Sequence, residues 1–286
     1  MANERMNKVY VIGTLIQIKD TREGVKTVDG KDIPWLAGTA VVHTETDDFE
    51  FKYYSSSKTA AGKDNSRYAN YQTLEKRIDD RVKISGELSG RVWYNEGQAQ
   101  IINFNELSAG FFNTPKPTEE DVATFEYSGF VVKTIHERMD KEGEELLAYE
   151  MEIGQANYQG DNMQIVKFTI DKGNMNIFNA ISGAYFKGST VQVSGAIHYV
   201  IVEEEKVETV MFGDPIVKKF SNTRKSFEIT GGKAPITDEG VAYTEMGIGK
   251  LEASYNAYVL GVEKKAKDKT TATVSEPKKQ GNQGLL

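Results

Sequence analysis

His43, His136 and His198 are the only histidines in the chain, and there is no cysteine to join them in a metal site. Each falls on a different predicted strand and none sits at ligand spacing, so no metal or other cofactor is expected. Gly247-Ile248-Gly249-Lys250 echoes a phosphate-binding loop, but the glycine spacing is wrong and Leu251 stands where serine or threonine is required. The acidic runs Glu142-Gly143-Glu144-Glu145 and Glu203-Glu204-Glu205 fall in predicted hairpin loops, where solvated charge accounts for them. With no nucleophile motif either, the chain reads as a binding protein and not an enzyme. A different chemistry is better represented: aromatic rings interleaved with lysine and arginine, a pairing that stacks on nucleobases while neutralising a phosphate chain. It occurs at Phe49-Glu50-Phe51-Lys52-Tyr53-Tyr54, in the Ser55–Arg67 segment with Lys58, Lys63 and Arg67, and at Arg91-Val92-Trp93-Tyr94.

The elements that must position these residues come in two copies. Val82-Lys83-Ile84-Ser85-Gly86-Glu87-Leu88 matches Val191-Gln192-Val193-Ser194-Gly195-Ala196-Ile197, an offset of 109 residues; Gln100 to Glu106 matches Glu208 to Asp214 at 108, and Val9 to Ile18 around Gly13 resembles Phe125 to Ile135 around Gly129 at 116. Period-two alternation predicts strands at Val9–Ile18, Thr39–Thr44, Phe49–Tyr54, Val82–Trp93 and Gln98–Leu107, with a short helix over Tyr68–Ile78 between the third and fourth. In the second copy the strands are Phe125–Ile135, Leu146–Ile153, Gln164–Ile170, Val191–Val202 and Lys206–Lys218, and the helix is Asn174–Ser182. Three strands, a helix and two strands is the order of an oligonucleotide/oligosaccharide-binding (OB) barrel. The fold class expected is therefore all-β: two tandem five-stranded OB barrels, a C-terminal helix and a disordered tail. Gly13, Gly86, Gly129 and Gly195 suit the sharp strand bends that closing a small barrel requires.

The divisions that follow are a first barrel over 1–112, a Pro115/Pro117 linker over 113–121, a second barrel over 122–225, and an extension over 226–263. In the extension Leu251, Tyr255, Tyr258, Val259 and Val262 fall at helical spacing. A disordered tail over 264–286 follows, because apolar residues nearly vanish there.

OB barrels bind oligonucleotides on the outer face of strands two and three and with the loops joining strands one to two and four to five. Alternation sends Phe49, Phe51 and Tyr53 into the core and Lys52 and Tyr54 outward. Arg91, Trp93 and Tyr94 run into the final hairpin at the groove rim, and Trp35 lies in the long loop between strands one and two. In the second copy Lys167 stands where Lys52 does, and Lys133 and Arg138 leave its first strand. The net charge of −7 is distributed unevenly: 15 basic against 16 acidic residues over 1–112, but 12 against 18 over 113–225. The first barrel has room for a basic groove, and the acidic Glu203–Glu205 hairpin would repel phosphate, so the first barrel is expected to bind more strongly. No apolar run approaches a membrane span and no signal peptide is evident, which with the lack of cysteine points to the cytoplasm.

The tandem barrels, the Val-x-Ile-Ser-Gly strand, the aromatic-basic third strand and the lysine-containing tail resemble the single-stranded DNA-binding proteins of tailed bacteriophages, over roughly residues 7–225. The resemblance implies binding and protection of single-stranded DNA during phage replication or recombination in the host cytoplasm, with replication or recombination proteins as further partners. It departs at the end of the chain. In place of an acidic tip with a terminal aromatic stands Gln280-Gly281-Asn282-Gln283-Gly284-Leu285-Leu286. Two other readings stay open: an interaction or virion adaptor that uses OB barrels without nucleic acid, and an RNA-binding protein.

Overall fold

The computed structural model describes residues 5–140, 143–208, 216–238 and 241–274. The described residues are all-β apart from three α-helices and a 3-10 turn over Leu74–Arg77. β1 (Asn7–Val28), β2 (Lys31–His43), β3 (Asp48–Ser56), β4 (Arg81–Asn95) and β5 (Gln100–Asn113) form the first set, with α1 (Ser66–Tyr71) between β3 and β4. β6 (Val122–Met139), β7 (Leu146–Ala156), β8 (Met163–Asp171), β9 (Thr190–Glu208) and β10 (Ile216–Gly232) form the second, with α2 (Met175–Ala184) between β8 and β9; α3 (Glu245–Val274) follows.

Each set closes on itself. The neighbours run β1-β2-β3-β5-β4-β1 and β6-β7-β8-β10-β9-β6, with β3–β5 and β8–β10 parallel and the other pairs antiparallel. That circuit, with a helix after the third strand, is the OB topology. Closure demands bends where two backbones nearly touch, and glycine sits at equivalent places in both copies. A Cβ on Gly13 or Gly129 would lie 2.2 Å from a carbonyl oxygen of the adjoining strand, and one on Gly86 or Gly195 would lie 2.2 and 1.8 Å from one.

The barrels are joined through β1 and β6, which pair antiparallel from Asn7↔Tyr127 to Ile12↔Val122. Within the run Val9 pairs with Phe125, and these residues are also equivalents at the repeat offset of 116. A strand pairing with its own repeat is the geometry of an isologous dimer, here written in one chain with a pseudo-two-fold axis at that pair. Core side chains of the two barrels, among them Val9, Val11, Phe125 and Tyr127, form a single cluster across the join.

The structure departs from the sequence expectations in several elements. In the second copy the strand expected over Lys206–Lys218 is divided, its start closing β9 at Glu208 and its end opening β10 at Ile216. The expected loop holding Trp35 is a two-stranded ribbon: β1 continues to Val28, β2 starts at Lys31, and Asp29 and Gly30, both with positive φ, make the turn. Alternation fails as a guide there because the ribbon is largely solvated on both faces. The second barrel does not stop at 225, since β10 runs on to Gly232 and buries Phe227 and Ile229. The tail expected to be disordered from Lys264 is helical through Val274: α3 continues through a lysine-rich stretch, lysine being a good helix former, and gains a Lys267–Glu263 pair at 2.6 Å one turn apart. Residues 275–286 of that tail, with Leu285 and Leu286, lie outside the described residues.

Candidate nucleic-acid interface

The β3 alternation is as the sequence predicts. Phe49, Phe51 and Tyr53 are buried, while Lys52 and Tyr54 face out, Tyr54 with 56% of its surface exposed. The ribbon brings two further groups to Tyr54. Trp35, half-buried on β2, lies with its ring centre 6.0 Å from that of Tyr54, and the Lys26 ammonium stands 6.0 Å from the Tyr54 ring centre. Gly24 on the facing strand leaves space for the Trp35 indole, which a Cβ would meet at 2.9 Å. Lys52 donates to Thr39 Oγ1 at 2.7 Å and stands 3.8 Å from Asp20.

From β3 the face continues across the sheet. Lys52 pairs in register with Ser108 of β5, and across β5 and β4 the outward pairs are Ser108·Glu87, Glu106·Ser89, Phe104·Arg91 and Ile102·Trp93. Trp93 is 53% exposed and Phe104 42%. Arg91 Nε donates to Glu106 at 2.9 Å. Lys19 donates to Glu50 at 2.5 Å, a bond that holds the Glu50 carboxyl below its ordinary range despite partial burial. One face therefore carries Tyr54, Trp93 and Phe104 among Lys26, Lys52 and Arg91.

Tyr94 does not belong to this face. The residue after Trp93 points to the other side of the hairpin, is 7% exposed, and lies under α3 with the Lys267 ammonium 6.0 Å from its ring centre. The 57–65 segment is a compact turn: the Thr59 N–H donates to the Lys63 carbonyl and Lys58 pairs with Asp64 at 2.6 Å. Lys63 is exposed on it. Arg67, in α1, sits 5.5 Å from the ring centre of Phe111, three residues along β5 from Ser108, the register partner of Lys52, and so stands at the Tyr54 end of β5, about 20 Å from Phe104.

The second barrel presents its equivalent face differently. Met163 and Ile165 on the outer side of β8 are buried with Phe130 beneath Leu251 and Tyr255 of α3. The β4–β5 hairpin also leans on β8, where Asn105 bonds to the Lys167 backbone. Lys167 and Arg138 line one cleft, and Arg138 is held by Glu150 at 3.0 Å. Lys133 is exposed on β6 and lies 3.1 Å from His136 Nε2. The acidic 203–205 stretch, expected as a hairpin loop, lies within β9 in register with Ser221–Lys219 of β10, because the strand runs on to Glu208; its side chains lie outside the described residues. No group of three metal-ligating side chains occurs among the described residues.

Sequence reasoning missed Phe104, Lys19, Lys26 and Lys225. Phe104 was readable in part, since continuing the alternation along β5 from Leu107 puts it outward; Lys19 lies past a register shift after Leu15 that alternation does not show, and Lys26 and Lys225 depend on the ribbon and on barrel-to-barrel packing. Lys225 of β10 faces Glu50 and Glu106 of the first barrel and lies 4.8 Å from the ring centre of Tyr199, where burial pulls its pKa down and those carboxylates resist the fall.

The sequence model of the YorF family matches residues 5–271. The chain belongs to the YorF family. No curated protein matches the sequence. Among solved structures this YorF-family chain is similar to a deletion mutant of the single-stranded DNA binding protein from Thermus aquaticus, with 14% identity, a TM-score of 0.47, and coverage of 83% of this chain and 98% of that one. It is also similar to the wild-type protein from the same organism, at 13% identity and a TM-score of 0.44 over 81% of this chain and 94% of that one.

Proposed function

We propose that this chain binds single-stranded DNA without reading its sequence, along the outward face of the first barrel, and catalyses nothing. The observation that carries the reading is the grouping of exposed Tyr54, Trp93 and Phe104 on one continuous β-surface with Lys26, Lys52 and Arg91. Large rings exposed on a sheet cost solvation, and bases stacking on them recover about 1–3 kcal/mol each, whatever the base. Lys26, Lys52 and Arg91 then meet the phosphates. Coverage of β8 by α3 and the β4–β5 hairpin favours the first barrel as the stronger binder.

In this reading the protein protects exposed single strands in the cytoplasm during replication or recombination, phage replication being the setting implied by the sequence resemblance, and hands them to enzymes of those processes. No helix among the described residues is long and apolar enough to cross a membrane. One rival has an observation in its favour: Lys58, Arg91 and Arg138 are already held by carboxylates, as suits an adaptor that meets proteins instead of phosphates. Tryptophan fluorescence during titration with poly-dT, at low and high salt, separates the two. The expected result is quenching that weakens steeply with salt; a chain indifferent to poly-dT at low salt overturns the reading, and preference for poly-rU over poly-dT would move it to RNA.

A further inference from the structure

Where the two barrels meet, the outward face of the first barrel runs into a cleft of about 380 Å³. Phe104 and Asn105 of β5 line it from the first barrel; Arg138 and Glu150, Lys167 of β8 and Lys225 of β10 line it from the second. Phe104 belongs to both surfaces, because it stands beside Arg91 in register and lines the cleft.

The groups in this cleft divide into those already engaged and those not. The Asn105 amide is used on the Lys167 backbone, and Glu150 is bonded to Arg138. Among the described residues neither the Lys167 nor the Lys225 ammonium has a carboxylate within ion-pair distance. Both residues line the cleft, and so does the partly exposed Phe104 ring of the first barrel. Lys225 stands 4.8 Å from the Tyr199 ring centre and faces Glu50 and Glu106 without pairing with either.

We propose that this cleft is a subsite for one nucleotide of the bound strand, its base against Phe104 and its phosphates between Lys167 and Lys225, so that the strand leaves the first barrel across the junction and does not end at Trp93. The proposal rests on the reading that the first-barrel face binds single-stranded DNA. The cleft volume suits one small ligand unit and not a longer segment, and an aromatic wall opposite two ammonium groups is the pairing of base and phosphate recognition. The consequence is that the second barrel serves the strand through its flank while its own outer face stays under α3.

The test uses the full chain with oligo-dT of about four and about sixteen nucleotides, the range of site sizes seen for OB folds. Lys167→Ala and Lys225→Ala are made singly and together, with Lys225→Arg as the conservative control and circular dichroism and melting to establish folding. Expected in the double variant are weaker binding of the longer oligonucleotide, with the slope of log affinity against log salt lowered by about 0.7 for each lysine removed, a smaller occluded site on poly-dT, unchanged binding of the four-nucleotide probe, and recovery in Lys225→Arg. A folded double variant with the parent's site size and the parent's affinity for the longer probe overturns the subsite while leaving the first-barrel reading intact. A parent that fails to bind either probe overturns both.

Discussion

Asn105 of β5 and Lys167 of β8 exchange two hydrogen bonds: the Asn105 amide donates to the Lys167 carbonyl at 2.7 Å and its carbonyl accepts from the Lys167 N–H at 3.1 Å. A side chain thus does for β8 what a neighbouring strand does elsewhere, at a stretch where β8 has only β7 as a ladder partner, since the described pairing to β10 begins at Thr169. Replacing Asn105 with alanine removes both bonds and leaves a part-buried N–H and C=O unpaired, at about 1–3 kcal/mol for each group left unsatisfied. The expected outcome is a lowered denaturant midpoint. Asn105→Asp keeps the acceptor and loses the donor, and should fall between the parent and Asn105→Ala.

Tyr54→Ala and Trp93→Ala should each weaken poly-dT binding by about 1–3 kcal/mol with little change in the salt slope, because stacking releases no counterions. Both rings are more than half exposed, so truncation opens no core cavity and the variants should melt close to the parent. Folded variants that bind poly-dT as tightly as the parent would remove these rings from the interface.

The barrels were legible in the sequence because buried strands alternate and because the second copy repeats the first. The bends at Gly13, Gly86, Gly129 and Gly195 were legible for the same reason. What the repeat conceals is how its copies differ. At the offset of 109, Gly90 corresponds to Tyr199; a Cβ on Gly90 would lie 1.8 Å from the Ile165 carbonyl oxygen, whereas Tyr199 packs 5.2 Å from Phe49. Both positions lie where one barrel's final hairpin meets the other barrel, and contacts of that kind leave no periodic trace in one sequence. Tyr94 was misplaced for a related reason: it is apolar on the side that α3 covers, and nothing local announces a helix arriving from residue 245 onward. The ribbon carrying Trp35 was hidden because solvent on both faces erases alternation.

The tyrosine hydroxyls set an alkaline limit. Burial pushes the Tyr71 pKa up to about 12, with the Arg67 guanidinium working against the rise, and burial does the same for Tyr255, also to about 12. In the unfolded chain these phenols ionise near 10, so unfolding releases protons earlier than the native state does. Their stabilising contribution is present in full below pH 10 and is lost as pH rises through about 10 to 12. Tyr71→Phe should be less stable than the parent at pH 8, because the bonds to the Ala109 and Gly110 carbonyls are gone, yet lose less between pH 10 and 12. Denaturant melts across that range check both parts; equal slopes for parent and variant would show that Tyr71 does not carry the effect.

The carboxylates on the interface bear on how it releases and binds a phosphate chain. Arg91 is held by Glu106 at 2.9 Å, so a phosphate reaching Arg91 must displace that carboxylate, and the gain is the difference between two ion pairs and not a whole new one. Glu106→Gln keeps the side chain's size, removes its charge, and leaves Arg91 without its competitor. The expected result is tighter binding of poly-dT at low salt, with the advantage shrinking as salt rises because the repulsion removed is itself screened. Arg91→Ala should weaken binding and lower the slope of log affinity against log salt by at most about 0.7, the value for one fully released phosphate contact on a single strand. The double variant Glu106→Gln/Arg91→Ala discriminates further. If Glu106 acts only through Arg91, the gain from Glu106→Gln disappears in the double variant; if it also repels the strand directly, part of the gain survives. A Glu106→Gln protein that binds poly-dT more weakly than the parent, while melting at the same midpoint, would place the phosphate chain away from the Arg91–Glu106 pair.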